Sequence, residues 1–269
     1  MIYLSSFKLC DEILTNPNIY PHNVFRNKDM PTLFFSPVTV LYGNNGSGKS
    51  TILNIIANKL GIKGRESIKS IYGTKFIDKC RFSLGEDEET GRLFNNVPEG
   101  SRQLKSEDIL YEIKKVQQQN VLEDGILYDN IQGGMTKEEA ENYLATEEGS
   151  KQIGYILFAQ EKYSNGEMAM LLFRDWLKSD ALYLLDEPEV SLSPANQVKL
   201  AEKILSMTRY LNCQFIIATH SPFMLGTLNA KIYNIDTPDF RESSWSELDN
   251  VRYFYDFFKK HRDEFETKE

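Results

Sequence analysis

Short apolar runs set the rhythm of the chain. Leu33-Phe34-Phe35, Val38-Thr39-Val40-Leu41-Tyr42, Ala181-Leu182-Tyr183-Leu184-Leu185, Cys213-Gln214-Phe215-Ile216-Ile217-Ala218 and Ala230 to Ile235 are dense in aliphatic and aromatic residues. Runs of this length without alternation suit strands buried on both faces. Between them the apolar positions fall at helical spacing: Ile52, Leu53, Ile55, Ile56 and Leu60 after Ser50, then Ile109, Leu110, Ile113 and Val116 within Ser106 to Gln119. Ser106 is the expected N-cap of that second helix. Thr136, with Glu139 at the capping-box position, opens another after Gly133-Gly134, and Ser193-Pro194 opens one between two of the strands. Met168, Leu171, Leu172 and Trp176 mark a helix beginning near Ser164. Ser246 to about Glu266 reads as an amphipathic helix with an aromatic stripe at Tyr253, Tyr255, Phe257 and Phe258, which either packs on the core or faces a partner. Strands alternating with helices predict an α/β fold with a mainly parallel core sheet.

Composition narrows the class without naming a ligand. With 269 residues, 41% hydrophobic, the chain can bury a sizeable core. Cys10, Cys80 and Cys213 are odd in number and far apart, which argues against a disulfide framework and fits a cytoplasmic protein. No signal-peptide pattern and no apolar run of membrane-spanning length is expected. The net charge of −8 argues against a general polyanion binder. One segment runs the other way: Lys63, Arg65, Lys69, Lys75, Lys79 and Arg81 face only Glu66 and Asp78, a net of +4. Nucleic-acid binding there stands beside the plainer reading of a solvated surface.

The chemistry enters at Gly43-Asn44-Asn45-Gly46-Ser47-Gly48-Lys49-Ser50, with Thr51 following. This is GxxxxGK[ST] between a predicted strand and a predicted helix. Glycines let the backbone N–H groups converge on phosphate oxygens, Lys49 reaches the β- and γ-phosphates, and the Ser50 hydroxyl can ligate Mg²⁺. Asp186-Glu187 closes the apolar run ending at Leu185. Beside a phosphate loop, Asp186 is the expected metal ligand and Glu187 the expected base for the attacking water. Ser164-Asn165-Gly166-Glu167 can be a simple capping box, and His220 in Thr219-His220-Ser221-Pro222 a simple structural histidine.

The order of these segments resembles the ABC-type ATPase superfamily. GNNGSGKS, SNGE, LLDEPE, SLSP and ATHSP are most similar to its soluble branch, the RecF- and SMC-like proteins and small stand-alone AAA/ABC-type ATPases, many linked to phage defence and toxin–antitoxin loci. The resemblance implies a P-loop fold with an N-terminal antiparallel β portion, and one ABC-type ATPase domain over 1–269. Residues 82–160 would form an inserted helical lobe and 237–269 a C-terminal helical tail. It implies ATP and Mg²⁺, catalysis by Glu187 with His220 sensing the γ-phosphate, and metal ligation by Ser50 and Asp186. Ser164, Asn165, Gly166 and Glu167 would act in trans on a nucleotide held by the other subunit of an ATP-dependent homodimer. A protein partner is expected through residues 82–160. A repair-type ATPase and a transporter ATPase subunit are the alternatives. The glutamine expected between loop and signature is not evident; Gln103, Glu107 or Asp108 stand near its place, and Tyr20, Phe25 and Phe34 are candidate adenine-stacking residues.

Overall fold

The computed structural model describes residues 1–12, 18–87, 90–117, 119–149, 151 and 165–266. Two sheets organise most of the chain. Strands β1 (Leu4–Lys8), β2 (Thr32–Phe34) and β4 (Arg81–Leu84) form an antiparallel sheet in the order β2-β1-β4. Strands β3 (Val38–Tyr42), β5 (Arg102–Lys105), β6 (Leu182–Asp186), β7 (Gln214–Ala218) and β8 (Lys231–Asn234) form a parallel sheet in the order β5-β6-β7-β3-β8. Every residue of β3, β6 and β7 is buried, as the unbroken apolar runs predict for central parallel strands. Gln214, fully buried at the start of β7, ties the sheets together. Its Oε1 accepts from the Tyr3 and Leu4 N–H groups at 2.9 Å, and its Nε2 donates to the Leu4 carbonyl at 2.8 Å.

Several of the helices begin at a side-chain or glycine boundary. Helix α1 (Lys49–Leu60) starts directly after Gly48 and ends at Gly61, whose positive φ of 69° closes it. Helix α2 (Ile71–Lys79) is capped by Ser70. Helices α3 (Ser106–Gln117), α4 (Gln119–Gln132), α5 (Lys137–Leu144) and α6 (Asn165–Trp176) follow, α5 with the Thr136/Glu139 capping box in place. Helix α7 (Pro194–Tyr210) opens with Ser193 Oγ accepting from the Asn196 N–H, and α8 (Pro222–Leu228) with Ser221 capping Met224. A 3₁₀ turn (Trp245–Glu247), α9 (Asp249–Lys260) and α10 (Arg262–Phe265) complete the described chain. Among the described residues, no helix is long and apolar enough to cross a membrane.

The chain divides into two compact units. One contains Met1–Lys105, Lys178–Val190 and Gln197–Glu269; the other contains Ser106–Leu177 and Ser191–Asn196. The second unit is helical, with α3 packed on α4 and α6, and α4 on α5. This moves the start of the helical lobe from residue 82 to Ser106, because the stretch after residue 80 carries β4 and β5. Strand β4 is short and mostly exposed, and its four residues alternate polar and apolar over too short a run to stand out; its pairing with β1 makes it a strand. The C-terminal stripe also differs from core packing. Only Val251 of α9 is buried, while Tyr253 is 71% exposed and Tyr255, Phe257 and Phe258 are exposed beside it.

Candidate functional site

The phosphate loop leaves the buried end of β3 and enters α1, as the spacing requires. Gly48 adopts φ 104°, and a Cβ there would lie 2.8 Å from Val24 Cγ1, so conformation and space both demand glycine. A Cβ at Gly43 would meet Ser47 Oγ at 2.6 Å. Lys49 is 3% exposed, and its Nζ donates to the Gly43 and Asn44 carbonyls at 2.7 and 3.1 Å. A cleft of about 370 Å³ lies beside it, lined by Val24, Asn45, Gly46, Lys49, Thr51 and Glu187 among others.

The acidic pair meets the loop through strand register. Asp186, at the end of β6, accepts from Ser50 Oγ at 3.0 Å and is 8% exposed. Burial pushes its carboxyl up to about 6; the Ser50 hydrogen bond and the Lys105 and Lys49 charges oppose the rise, and the neighbouring Glu187 charge adds to it. A buried carboxylate joined to a hydroxyl is an all-oxygen donor set, which suits Mg²⁺ completed by phosphate and water oxygens. Glu187 lies next in the chain at φ 48°, a left-handed conformation uncommon outside glycine. Strain of this kind survives where the surroundings over-determine it; here the Glu187 N–H is bonded to the Ala218 carbonyl at 2.9 Å. Its Oε1 stands 3.9 Å from Lys49 Nζ and 3.8 Å from His220 Nδ1. Thus Lys49, Ser50, Asp186, Glu187 and His220, separated widely in sequence, converge at the C-terminal ends of β3, β6 and β7.

The signature segment is described only in part. Ser164 lies outside the described residues; Asn165, Gly166 and Glu167 form the first turn of α6. A Cβ on Gly166 would lie 3.1 Å from the Ser191 carbonyl oxygen, so the Ser191–Asn196 segment packs tightly there within the helical unit.

Several residues were not marked by any motif. Asp236, just after β8, accepts from the Asn44 N–H at 2.9 and 3.1 Å and from Asn44 Nδ2 at 2.9 Å, which anchors the start of the loop. Lys105 stands level with Asp186 in the β5–β6 register and pairs with Glu66. Gln103 lies two residues earlier and fully buried, its amide atoms unpaired among the described residues, while Glu107 and Asp108 fall in the first turn of α3. Phe25 is buried and stacked on Phe76, whereas Tyr20 and Phe34 are exposed. No local pattern points to Asp236 or Lys105; only strand order does.

Residues 113–225 match the model of the AAA ATPase domain family. Curated relatives include the maltose/maltodextrin import ATP-binding protein MalK of Photobacterium profundum, 27% identical over 205 residues, covering 73% of this chain and 48% of the relative. MalK of Vibrio parahaemolyticus is 27% identical over 205 residues, covering 73% of this chain and 47% of its own length. The chain therefore spans about half the length of these relatives. Among solved structures, an ATP-binding cassette of an ABC transporter in its ADP conformation aligns over 87% of both chains at 16% identity and a TM-score of 0.46, a likeness from which nothing further follows.

Proposed function

We propose that this chain, an ATPase of the ABC type, binds Mg-ATP at the phosphate loop, hydrolyses it, and drives a partner by closing as a nucleotide-sandwich dimer. The linkage of Lys49 and His220 to Glu187, and of Asp186 to Ser50, beside a cleft lined by Lys49, Ser50 and Glu187 carries the reading. The loop N–H groups and Lys49 hold the β- and γ-phosphates, and Asn45 and Thr51 line the same cleft. Ser50 and Asp186 would hold Mg²⁺, which when bound neutralises charge on the phosphate oxygens. Glu187 takes a proton from the attacking water, and His220 contacts the γ-phosphate. Water oxygen bonds to phosphorus as the bond to the β-phosphate oxygen breaks, leaving ADP and phosphate. Ser164 and the first turn of α6 complete the site from the second subunit, where the N-terminal end of a helix suits an anion.

The MalK relatives are named for maltose/maltodextrin import, which favours a second reading: the energising subunit of a transport system. Co-purification with a membrane-embedded partner would support it over the stand-alone reading.

The test compares the wild type with Lys49→Ala for ATP binding, phosphate release and molecular mass in solution. The wild type is expected to bind ATP and release phosphate, and to shift toward a dimer with ATP more than with ADP. Lys49→Ala is expected to lose nucleotide affinity by tenfold or more, at about 1.4 kcal/mol per tenfold. Equal phosphate release by both proteins contradicts the site; a mass that never responds to ATP contradicts the dimer alone.

A further inference from the structure

The peptide groups around His220 are pinned, while its ring is not. The His220 N–H donates to Glu189 Oε1 at 3.1 Å, and its carbonyl accepts from Asn250 Nδ2 at 2.9 Å. The buried Thr219 hydroxyl donates to the same Glu189 oxygen at 2.6 Å, and the Ser221 N–H donates to Thr219 Oγ1 at 3.0 Å. Glu189, which follows the acidic pair in the chain, is only 7% exposed.

Two buried atoms in this cluster have no hydrogen-bond partner among the described residues: Glu189 Oε2 and His220 Nδ1. Leaving both unpaired costs far more than pairing them. His220 Nδ1 lies 3.7 Å from Glu189 Oε1 and 3.8 Å from Glu187 Oε1, so a modest ring rotation brings it into bonding range of either carboxylate. The two partners have different consequences. A bond to Glu187 occupies the residue assigned to the attacking water. A bond to Glu189 uses a carboxylate that is buried, already holds the His220 backbone, and has acceptor capacity to spare.

We propose that Glu189 is the positioning residue of the switch: it takes the His220 Nδ1–H, aims Nε2 at the γ-phosphate, and leaves Glu187 free for the attacking water. The inference rests on the roles given to Glu187 and His220 above. A carboxylate on one ring nitrogen fixes the tautomer and orientation of the other. Glu189 touches no substrate and acts only through the histidine.

The test is a double-mutant cycle in the full chain, with turnover and ATP affinity both measured. Glu189→Gln keeps the shape and an oxygen acceptor for Thr219 and the His220 N–H, but removes the charge. It is expected to lower kcat by about tenfold or more while leaving ATP affinity within about twofold. In a His220→Ala background it is expected to cause no further loss, because the positioner has nothing left to position. Wild-type turnover by Glu189→Gln, or the same loss with and without His220, overturns the proposal. Undiminished turnover by His220→Ala removes the histidine reading itself and the proposal with it. Nitrogen-15 resonances of the His220 ring, assigned by their loss in His220→Ala, give a check independent of Glu189 variants. ATP-bound protein is expected to carry the proton on Nδ1, and a bare Nδ1 overturns the proposal.

Discussion

The sheet-bearing unit and the helical unit bury very different things. In the first, β3, β6 and β7 are buried along their whole lengths, and the candidate site lies at their C-terminal ends: Gly43 after Tyr42, Asp186 closing β6, Thr219 after Ala218. In the second, few of the described helix residues are buried. Ile109 and Ile113 are buried in α3, Ala140 in α5, and Gly166, Ala169 and Phe173 in α6, while Tyr111 and Tyr128 stand more than 60% exposed. Rigid parallel strands can hold side chains from distant parts of the chain to fixed separations. A lightly packed helical unit tolerates change and can rearrange at low cost. The sheet unit carries Lys49, Ser50, Asp186, Glu187 and His220, and the helical unit carries the first turn of α6.

That division can be broken by substitutions placed in each unit. The largest effect is expected in the sheet unit from Gly48→Ala, which forces a Cβ to within 2.8 Å of Val24 at φ 104°. It should destabilise the protein by about 1–3 kcal/mol and weaken ATP binding by tenfold or more; calorimetric titration and thermal unfolding measure both. A smaller and different effect is expected in the helical unit from Gly166→Ala, where the close neighbour is the Ser191 carbonyl oxygen at 3.1 Å. ATP affinity should hold within about twofold while turnover falls about fivefold, as the proposed action of the signature on the other subunit's nucleotide requires. Loss of ATP affinity in Gly166→Ala would erase the distinction between the units.

The smallest effect concerns the thiols, all three of which are buried in the sheet unit. Burial pushes the Cys80 thiol up to about 12, and raises those of Cys10 and Cys213. The fold therefore favours the protonated thiol. Its contribution to stability is complete below the ordinary value near 9 and is lost as pH rises through about 12. At pH 8 a thiol reagent should titrate none of the three in the native protein and all three in denaturant. Rapid modification of the native protein would show that the sheet unit opens more readily than its packing indicates.

The same contrast explains what could be read from the sequence. The phosphate loop and Asp186-Glu187 were legible because their chemistry is local: a fixed spacing, or two acids directly after an apolar run. His220 needed the order of several segments before it stood out. Asp236 could not be found that way, since it meets Asn44 across 192 positions through the β3–β8 pairing. Lys105 and Glu189 were hidden for related reasons, one by register and one because an acid near a strand end looks solvated. Strand β4 was missed because its alternation, Arg81-Phe82-Ser83-Leu84, spans only four mostly exposed residues. The aromatic stripe on α9 was legible as an amphipathic face, but helical spacing alone does not say whether such a face is covered.

The central claim is that Glu187 converts bound ATP to ADP and phosphate at the end of the parallel sheet. The most direct measurement is single-turnover hydrolysis by the wild type and Glu187→Gln, with saturation by ATP established for each. We expect equal binding within about twofold and hydrolysis at least about a hundredfold slower in Glu187→Gln, the scale of losing a general base. Hydrolysis at the wild-type rate by a fully saturated Glu187→Gln protein would contradict the account.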